Sequence, residues 1–197
     1  MKKRMATIER KTSETNIKLS LTIDGRGKYT INTGIGFFDH MLGLFARHGL
    51  FDLTVKAKGD TGVDLHHTVE DVGICLGKAF YKALGDCTGI RRYASTGIVM
   101  DEALTYAAID ISGRPYLEYH VNQPRKSKLG EFDVELAQEF FKALMINAKW
   151  TMHIELIRGE NLHHIIESNF KAVARVLRTA TEADPRSKAI PSTKGIL

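Results

Sequence analysis

Two short segments of the 197-residue chain, His66–Glu70 and His163–Glu167, share the pattern His-His-x-x-Glu. On a helix, residues i and i+4 lie on one face, so the first histidine and the glutamate of each segment can chelate one metal ion. The second histidine points about 100° away and must serve a different metal ion or none. Imidazole and carboxylate ligands without thiolate fit zinc, manganese or iron. The pattern therefore predicts metal-assisted chemistry.

The two segments belong to an internal repeat, which is a signal to establish before any fold is assigned. Three pairs of segments match: His66–Glu70 with His163–Glu167 (offset 97), Ile23–Arg26 with Ile111–Arg114 (offset 88), and Leu53–Val55 with Met152–Ile154 (offset 99). The small changes in offset fall in Gly-rich or polar loops, where insertions are tolerated. The chain is therefore predicted to consist of two related halves.

The repeat supplies the remaining candidate ligands. His40, moved by the offset of 99, falls on Glu139, and both residues precede an apolar pair. If each metal takes a chelating pair from one half and the single histidine from the other, two sites result. The predicted ligand sets are His40, His67, His163 and Glu167 for one site, and His66, Glu70, Glu139 and His164 for the other. His153 is the alternative to Glu139, and it is less favoured because it corresponds to Thr54 within a predicted strand.

Each half is expected to contain the same elements in the same order. In the first half these are a strand at Asn16–Ile23, a turn at Gly25–Gly27, a return strand of a hairpin at Tyr29–Ile31, a helix around Phe37–His48, a strand at Leu53–Ala57 and a helix from the histidine pair. Alternation of polar and apolar residues indicates the strands, and apolar residues on one face indicate the helices. The predicted unit is β-β-α-β-α, occurring twice.

This pattern predicts an α+β fold of internally duplicated half-domains, with mixed sheets and helices packed between them. The predicted segments are residues 1–95, 96–182 and a C-terminal extension, 183–197, with the break near Ser95–Gly97. Because half-domains of under 100 residues would be marginal alone, we expect one structural unit.

The composition narrows the classes of partner. A net charge of +5 suits an anionic partner, and the basic residues are spread along the chain without a zinc-finger or RNA-binding signature. A phosphorylated small molecule is therefore favoured over nucleic acid.

Two cysteines exclude a disulfide scaffold. The chain shows no secretory signal and no run of 18 apolar residues, so we expect a cytoplasmic protein that does not span a membrane.

Five motifs together resemble the imidazoleglycerol-phosphate dehydratase family: Phe38–Leu42, Asp64–Asp71, Ser112–Tyr116, His163–Glu167 with Phe170–Ala172, and Pro191–Gly195. The resemblance covers about residues 6–197, in the same order. It implies a manganese-dependent hydro-lyase of histidine biosynthesis, which converts D-erythro-imidazole glycerol phosphate to imidazole acetol phosphate and water. It also implies two manganese ions per active site and a large homo-oligomer of 24 subunits, with active sites between neighbouring subunits.

The resemblance assigns roles to further residues. It makes Glu14 the catalytic carboxylate, although by itself Glu14 is typical of a surface position; Glu70 and Glu167 are the alternative proton carriers. The substrate-binding set that it implies is Glu14, His48, Arg92, Arg114, Lys171, Ser192, Thr193 and Lys194, with the C-terminal extension completing a phosphate site. Many members of the family carry histidine at the position of Glu139, and a carboxylate suits manganese at least as well.

Two other functions compete with this one. A dinuclear phosphoesterase would use a metal-activated water, but such sites more often draw on aspartate-rich loops, which this sequence lacks. A metal-storage assembly would bind the same ions without turnover. Replacement of Glu14, which lies outside the predicted ligand sets, separates storage from catalysis.

Overall fold

Each half of the chain contains a four-stranded sheet and two long helices in the computed structural model, which describes residues 4–122 and 127–197. The first half comprises β1 (Met5–Lys11), β2 (Thr15–Thr22), β3 (Tyr29–Asn32), α1 (Gly36–Gly49), β4 (Asp52–Gly59) and α2 (His66–Leu84). The second comprises β5 (Tyr93–Met100), β6 (Ala103–Asp110), β7 (Tyr116–His120), β8 (Lys128–Leu129), β9 (Phe132–Asp133), α3 (Glu135–Ala148), β10 (Thr151–Arg158) and α4 (Leu162–Thr181).

The two sheets have the same strand arrangement, β1-β2-β4-β3 and β5-β6-β10-β7. All neighbouring strands are antiparallel except β3 with β4 and β7 with β10, which are parallel. Parallel neighbours require a crossover connection, and α1 and α3 provide it. The small β8–β9 hairpin stands before α3 and has no counterpart described in the first half. The predicted duplicated α+β fold with mixed sheets is confirmed.

The predicted hairpin between Asn16–Ile23 and Tyr29–Ile31 is wrong. The segment Tyr29–Asn32 forms an edge strand that pairs in parallel with β4. The carboxylate of Asp52, the first residue of β4, accepts hydrogen bonds from the backbone N–H groups of Arg26 and Lys28 at 2.8 and 3.0 Å. These bonds direct the chain to the far side of β4. The neighbour of β2 is instead β1, a strand that the predicted unit lacked. The first half is therefore β-β-β-α-β-α, and the second has the same order with the β8–β9 hairpin added before α3.

The four helices lie between the two sheets, as predicted. In the first half α2 covers β1 and β2, and in the second α4 covers β5 and β6. Across the halves, α1 packs against α4 and α2 packs against α3. Fully buried aromatic rings fill the helix layer, including stacked Phe140 and Phe170, whose centroids are 5.3 Å apart. The packing of first helix against second helix across the halves brings residues from distant parts of the chain together.

Several local features repeat between the halves or join them. Leu50 and Lys149, which are related by the offset of 99, both end a helix in the left-handed conformation with φ of 55° and 60°. Residues 85–92 link the two halves, and the predicted boundary at residue 95 falls within β5. The C-terminal extension forms turns and docks on this link, where the N–H of Gly89 donates to the Ala189 carbonyl at 3.0 Å. Among the described residues, no helix is both long and apolar enough to cross a membrane.

Candidate metal centre and active site

A cluster of two histidines and one glutamate forms where α1 meets α4. Nε2 of His163 lies 3.1 Å from Oε2 of Glu167, and Nε2 of His40 lies 3.6 Å from the same oxygen. One ligand atom from each of the three residues lies within 4.8 Å of the others. Three of the four residues predicted for the first metal site are therefore together, and they come from both halves of the repeat.

Local sequence explains how the cluster is positioned. His163 and Glu167 are one helical turn apart on α4, whose start is capped by the Asn161 side chain; that side chain accepts hydrogen bonds from the N–H groups of His163 and His164. On α1, the carboxylate of Asp39 accepts hydrogen bonds from the N–H and hydroxyl of Thr33 at 2.9 and 2.5 Å. These hydrogen bonds fix the start of each helix, close to its ligand side chains.

Glu167 is a buried carboxylate whose negative charge is stabilised. Its Oε1 forms a close ion pair with Lys171, one turn further along α4. Burial raises the pKa of Glu167, but the hydrogen bonds and charges of Lys171 and His163 outweigh it and lower the pKa. The carboxylate is therefore ionised and available to a cation at neutral pH.

The donor set fits a divalent transition metal. Two imidazole nitrogens and a carboxylate oxygen, without thiolate, suit manganese, zinc or iron. Within residues 4–122 and 127–197, no fourth histidine, cysteine or carboxylate joins the three. A three-residue set leaves coordination positions for a substrate and for a ligand from outside the chain.

The equivalent place in the repeat lies between α2 and α3. His66 and Glu139 line one cavity of about 290 Å³, together with Asp64 and two further carboxylates of the second half. Glu70 follows His66 by one turn on α2. His153, the alternative ligand, lies instead on the exposed side of β10, with its ring 6.0 Å from that of Tyr116. The repeat thus places His66 and Glu139 at a common cavity, in a looser arrangement than that of the first cluster.

The second histidine of each motif contacts carboxylates instead of joining the cluster of its own chain. Nδ1 of His67 lies 3.0 Å from Asp60, and Nδ1 of His164 lies 2.7 Å from Glu102. These hydrogen bonds raise the pKa of both histidines, and the bond from His164 lowers the pKa of Glu102 to about 2. A carboxylate on Nδ1 orients the ring, and Nε2 is then the nitrogen that could bind a metal. Nε2 of His164 also lies 3.7 Å from the carboxylate of Asp101.

The candidate catalytic Glu14 lies in the turn between β1 and β2, and its carboxylate is 3.8 Å from Nδ1 of His67. Glu102 occupies the same place in the β5–β6 turn, beside His164, and the offset of 88 relates the two glutamates. Sequence reasoning assigned no role to Asp60 or Glu102. The offset from Glu14 was the signal that could have identified Glu102, whereas no pattern marked Asp60.

The predicted phosphate ligands form two groups. Arg92 donates to Asp110 at 2.7 Å, and Arg114 lies 3.6 Å from the same carboxylate. A second Arg92 nitrogen donates to the Pro191 carbonyl at 2.7 Å, which places the backbone leading to Ser192, Thr193 and Lys194 beside the arginines. Asp110, another residue that sequence reasoning missed, holds both guanidinium groups.

Lys171 and His48 form the second group, at the α1–α4 contact. Lys171 lies against Glu167, and burial together with the positive charges of Lys171 and Arg175 lowers the pKa of His48. His48 is therefore neutral at physiological pH. Within one chain, this group belongs with the metal cluster and not with Arg92.

Comparison with curated proteins places these residues in a family. A family model described as imidazoleglycerol-phosphate dehydratase matches residues 33–177. The imidazoleglycerol-phosphate dehydratase of Pelobacter propionicus is 59% identical over 194 residues, covering 98% of this chain and 99% of that protein. The one from Caldanaerobacter subterraneus subsp. tengcongensis is 56% identical over 195 residues, covering 98% and 100%.

Solved structures agree with this assignment. The crystal structure of imidazoleglycerol-phosphate dehydratase from Staphylococcus aureus subsp. aureus matches with a TM-score of 0.82 and 41% identity, covering 91% of this chain and 99% of that chain. The Pyrococcus furiosus structure matches with a TM-score of 0.83 and 36% identity, covering 96% and 100%. Family model, full-length relatives and fold all lead to one conclusion: the chain belongs to the imidazoleglycerol-phosphate dehydratase family.

Proposed function

We propose that the protein dehydrates D-erythro-imidazole glycerol phosphate to imidazole acetol phosphate and water in histidine biosynthesis, with two manganese ions binding the imidazole ring. The observation that carries the proposal is the cluster of His40, His163 and Glu167 in a member of this family. A metal cluster alone would fit many reactions. The family assignment selects the dehydratase among them.

The ligand sets predicted from the repeat remain the proposed ones. His40, His163 and Glu167 would hold one ion. His66 and Glu139, which line one cavity, would hold the other together with Glu70, one turn after His66 on α2. His67 is hydrogen-bonded to Asp60 and lies apart from the cluster of its own chain. We therefore assign the fourth ligand of the first ion to His67 of a neighbouring subunit. His164 would serve the second site in the same way. This arrangement requires a homo-oligomer, for which we propose 24 subunits.

The reaction removes a proton from the carbon beside the imidazole ring, which is weakly acidic. In such a site manganese supplies Lewis-acid stabilisation of the negative charge that spreads into the ring. Glu14, exposed on its turn, is the carboxylate that would accept the proton and deliver it to the departing hydroxyl. Arg92, Arg114, Lys171 and the Ser192–Lys194 segment would bind the substrate phosphate, while neutral His48 would donate to or accept from a substrate hydroxyl.

The experiment is turnover of imidazole glycerol phosphate by the manganese-loaded protein, with product and free phosphate followed separately. Formation of imidazole acetol phosphate without phosphate release is expected. Release of phosphate would favour a phosphoesterase and end the proposal.

Glu14→Gln separates catalysis from storage. The variant should keep its manganese and lose most of its turnover, whereas a storage protein would be unaffected. Glu9→Gln is the matched control, because Glu9 is an exposed carboxylate on the same hairpin and pairs with Lys18.

A further inference from the structure

A buried carboxylate on α2 has no part in the proposed metal sites. Asp71 directly follows Glu70, and only 5% of its surface is exposed. One of its oxygens pairs with Nε of Arg10 on β1 at 2.9 Å. The other accepts a hydrogen bond from the hydroxyl of Thr15, the first residue of β2, at 2.5 Å. The first turns of α2 are thereby joined to both strands of the β1–β2 hairpin.

These contacts continue into the turn that carries Glu14. The Thr15 hydroxyl lies 3.2 Å from that of Thr12, and Thr12 Oγ1 accepts hydrogen bonds from the N–H groups of Glu14 and Thr15 at 3.1 and 2.9 Å. Thr15 is 3% exposed, so its hydrogen bond to Asp71 is shielded from water, while Thr12 is half-buried and Glu14 is exposed. The backbone of Glu14 is thus connected, through Thr12 and Thr15, to the carboxylate of Asp71.

The second half shows that the repeat folds without this network. The offset of 97 places Ser168 at the position of Asp71, and the offset of 88 places Ala103 at that of Thr15. Ser168 donates to the carbonyl of Ile165, and its hydroxyl lies 2.8 Å from that of Thr105 within β6, away from the turn. Ala103 has no hydroxyl. Glu102, the counterpart of Glu14, is instead held through its side chain by the N–H of Asn161 at 2.8 Å. The second half therefore ties its turn to the helix through the Glu102 side chain itself, whereas the first half does so through Asp71, Thr15 and Thr12 and leaves the Glu14 carboxylate exposed.

We infer that Asp71 is a positioning residue for Glu14: it fixes the β1–β2 turn at a set distance from the helix that carries His66, His67 and Glu70. This inference rests on the proposed role of Glu14 as the proton carrier. Asp71 touches neither the cluster nor the substrate-binding residues in the described contacts, so it acts through Thr15 and Thr12. Its effect should appear in the rate of proton transfer and leave metal and substrate binding unchanged.

Asp71→Asn and Thr15→Val test the link at its two ends. Valine keeps the shape of threonine and removes only the hydroxyl, so Thr15→Val serves even if Asp71→Asn folds poorly. Both variants are expected to lower kcat by about 10- to 100-fold, because a displacement of about 1 Å at a reacting group can cost about 100-fold. KM and bound manganese per chain should stay within about twofold of the unsubstituted protein. Glu9→Gln, on the same hairpin, should leave kcat unchanged.

The same substitutions in a Glu14→Gln background distinguish positioning from structural damage. If Asp71 acts through Glu14, Thr15→Val should have little effect on the residual turnover of Glu14→Gln. An equal fold loss in both backgrounds, a loss caused by depleted manganese, or an unchanged kcat in Thr15→Val would each overturn the inference. Full activity in Glu14→Gln alone would instead refute the proposed catalytic role, so the two failures are distinguishable.

Discussion

The substitution Gly77→Ala tests the close contact between α2 and α3. A Cβ at position 77 would lie 2.5 Å from the carbonyl oxygen of Leu144 and 2.8 Å from Cβ of Asn147. Ordinary contact begins at 3.4 Å, so the helices would have to separate by about 1 Å in a closely packed layer. We expect a cost of about 3 kcal/mol from overpacking, offset by about 1 kcal/mol from the better helix propensity of alanine. The net loss of unfolding free energy is about 2 kcal/mol.

Calorimetry at matched protein and manganese concentrations measures this loss, since assembly and metal binding both raise apparent stability. For a chain of this size, about 2 kcal/mol lowers Tm by about 4–8 °C. Gly36→Ala is the control, because Gly36 is also helical but its Cβ would meet nothing within 4 Å. It should leave Tm unchanged or raise it. A Gly77→Ala protein with the Tm of the unsubstituted chain, or a higher one, would refute the packing argument.

Three further predictions concern the site and the core. Glu139→Ala should lower the manganese bound per chain, measured by elemental analysis after desalting; two ions held with unchanged affinity would transfer the role to His153. Asp110→Asn should raise KM about tenfold, because the Arg92 guanidinium loses a charged hydrogen bond of about 1.5 kcal/mol; an unchanged KM would exclude Asp110 as the holder of that guanidinium. Cys75 should resist thiol reagents at pH 8 until the protein unfolds, because burial raises the pKa of its thiol to about 11; reaction in the native state would contradict this.

The clustering of His40 with His163 and Glu167 could be predicted because the sequence contains an internal repeat. The motif spacing identified a chelating pair on a helix, and the offset of 99 identified equivalent ligand-capable residues on the two first helices. Both signals depend on local periodicity, which a single sequence carries. The structure adds the reason that they meet, which is the packing of α1 on α4.

The rest depended on tertiary contacts that no periodicity encodes. Tyr29–Asn32 has the composition of a strand, but its pairing with β4 depends on Asp52, 20 or more residues later. The Asp52 carboxylate accepts hydrogen bonds from the loop that precedes Tyr29. Asp60, Asp71 and Asp110 are single carboxylates whose partners lie on other elements. Their types are ordinary, and only the folded chain shows which cation, hydroxyl or imidazole each one faces.

The packing of helices across the halves has a consequence for how the two halves can differ in sequence. The first helix of each half packs on the second helix of the other half. The two-helix surface of one half therefore packs against the equivalent two-helix surface of the other, as in an isologous dimer. Two separate copies of one half would have to meet in solution and would carry identical residues. In a single chain their encounter is intramolecular, and equivalent positions can carry different residues. Glu14 and Glu102 are equivalent positions that differ in this way, because the carboxylate of Glu14 is exposed and that of Glu102 is hydrogen-bonded to His164.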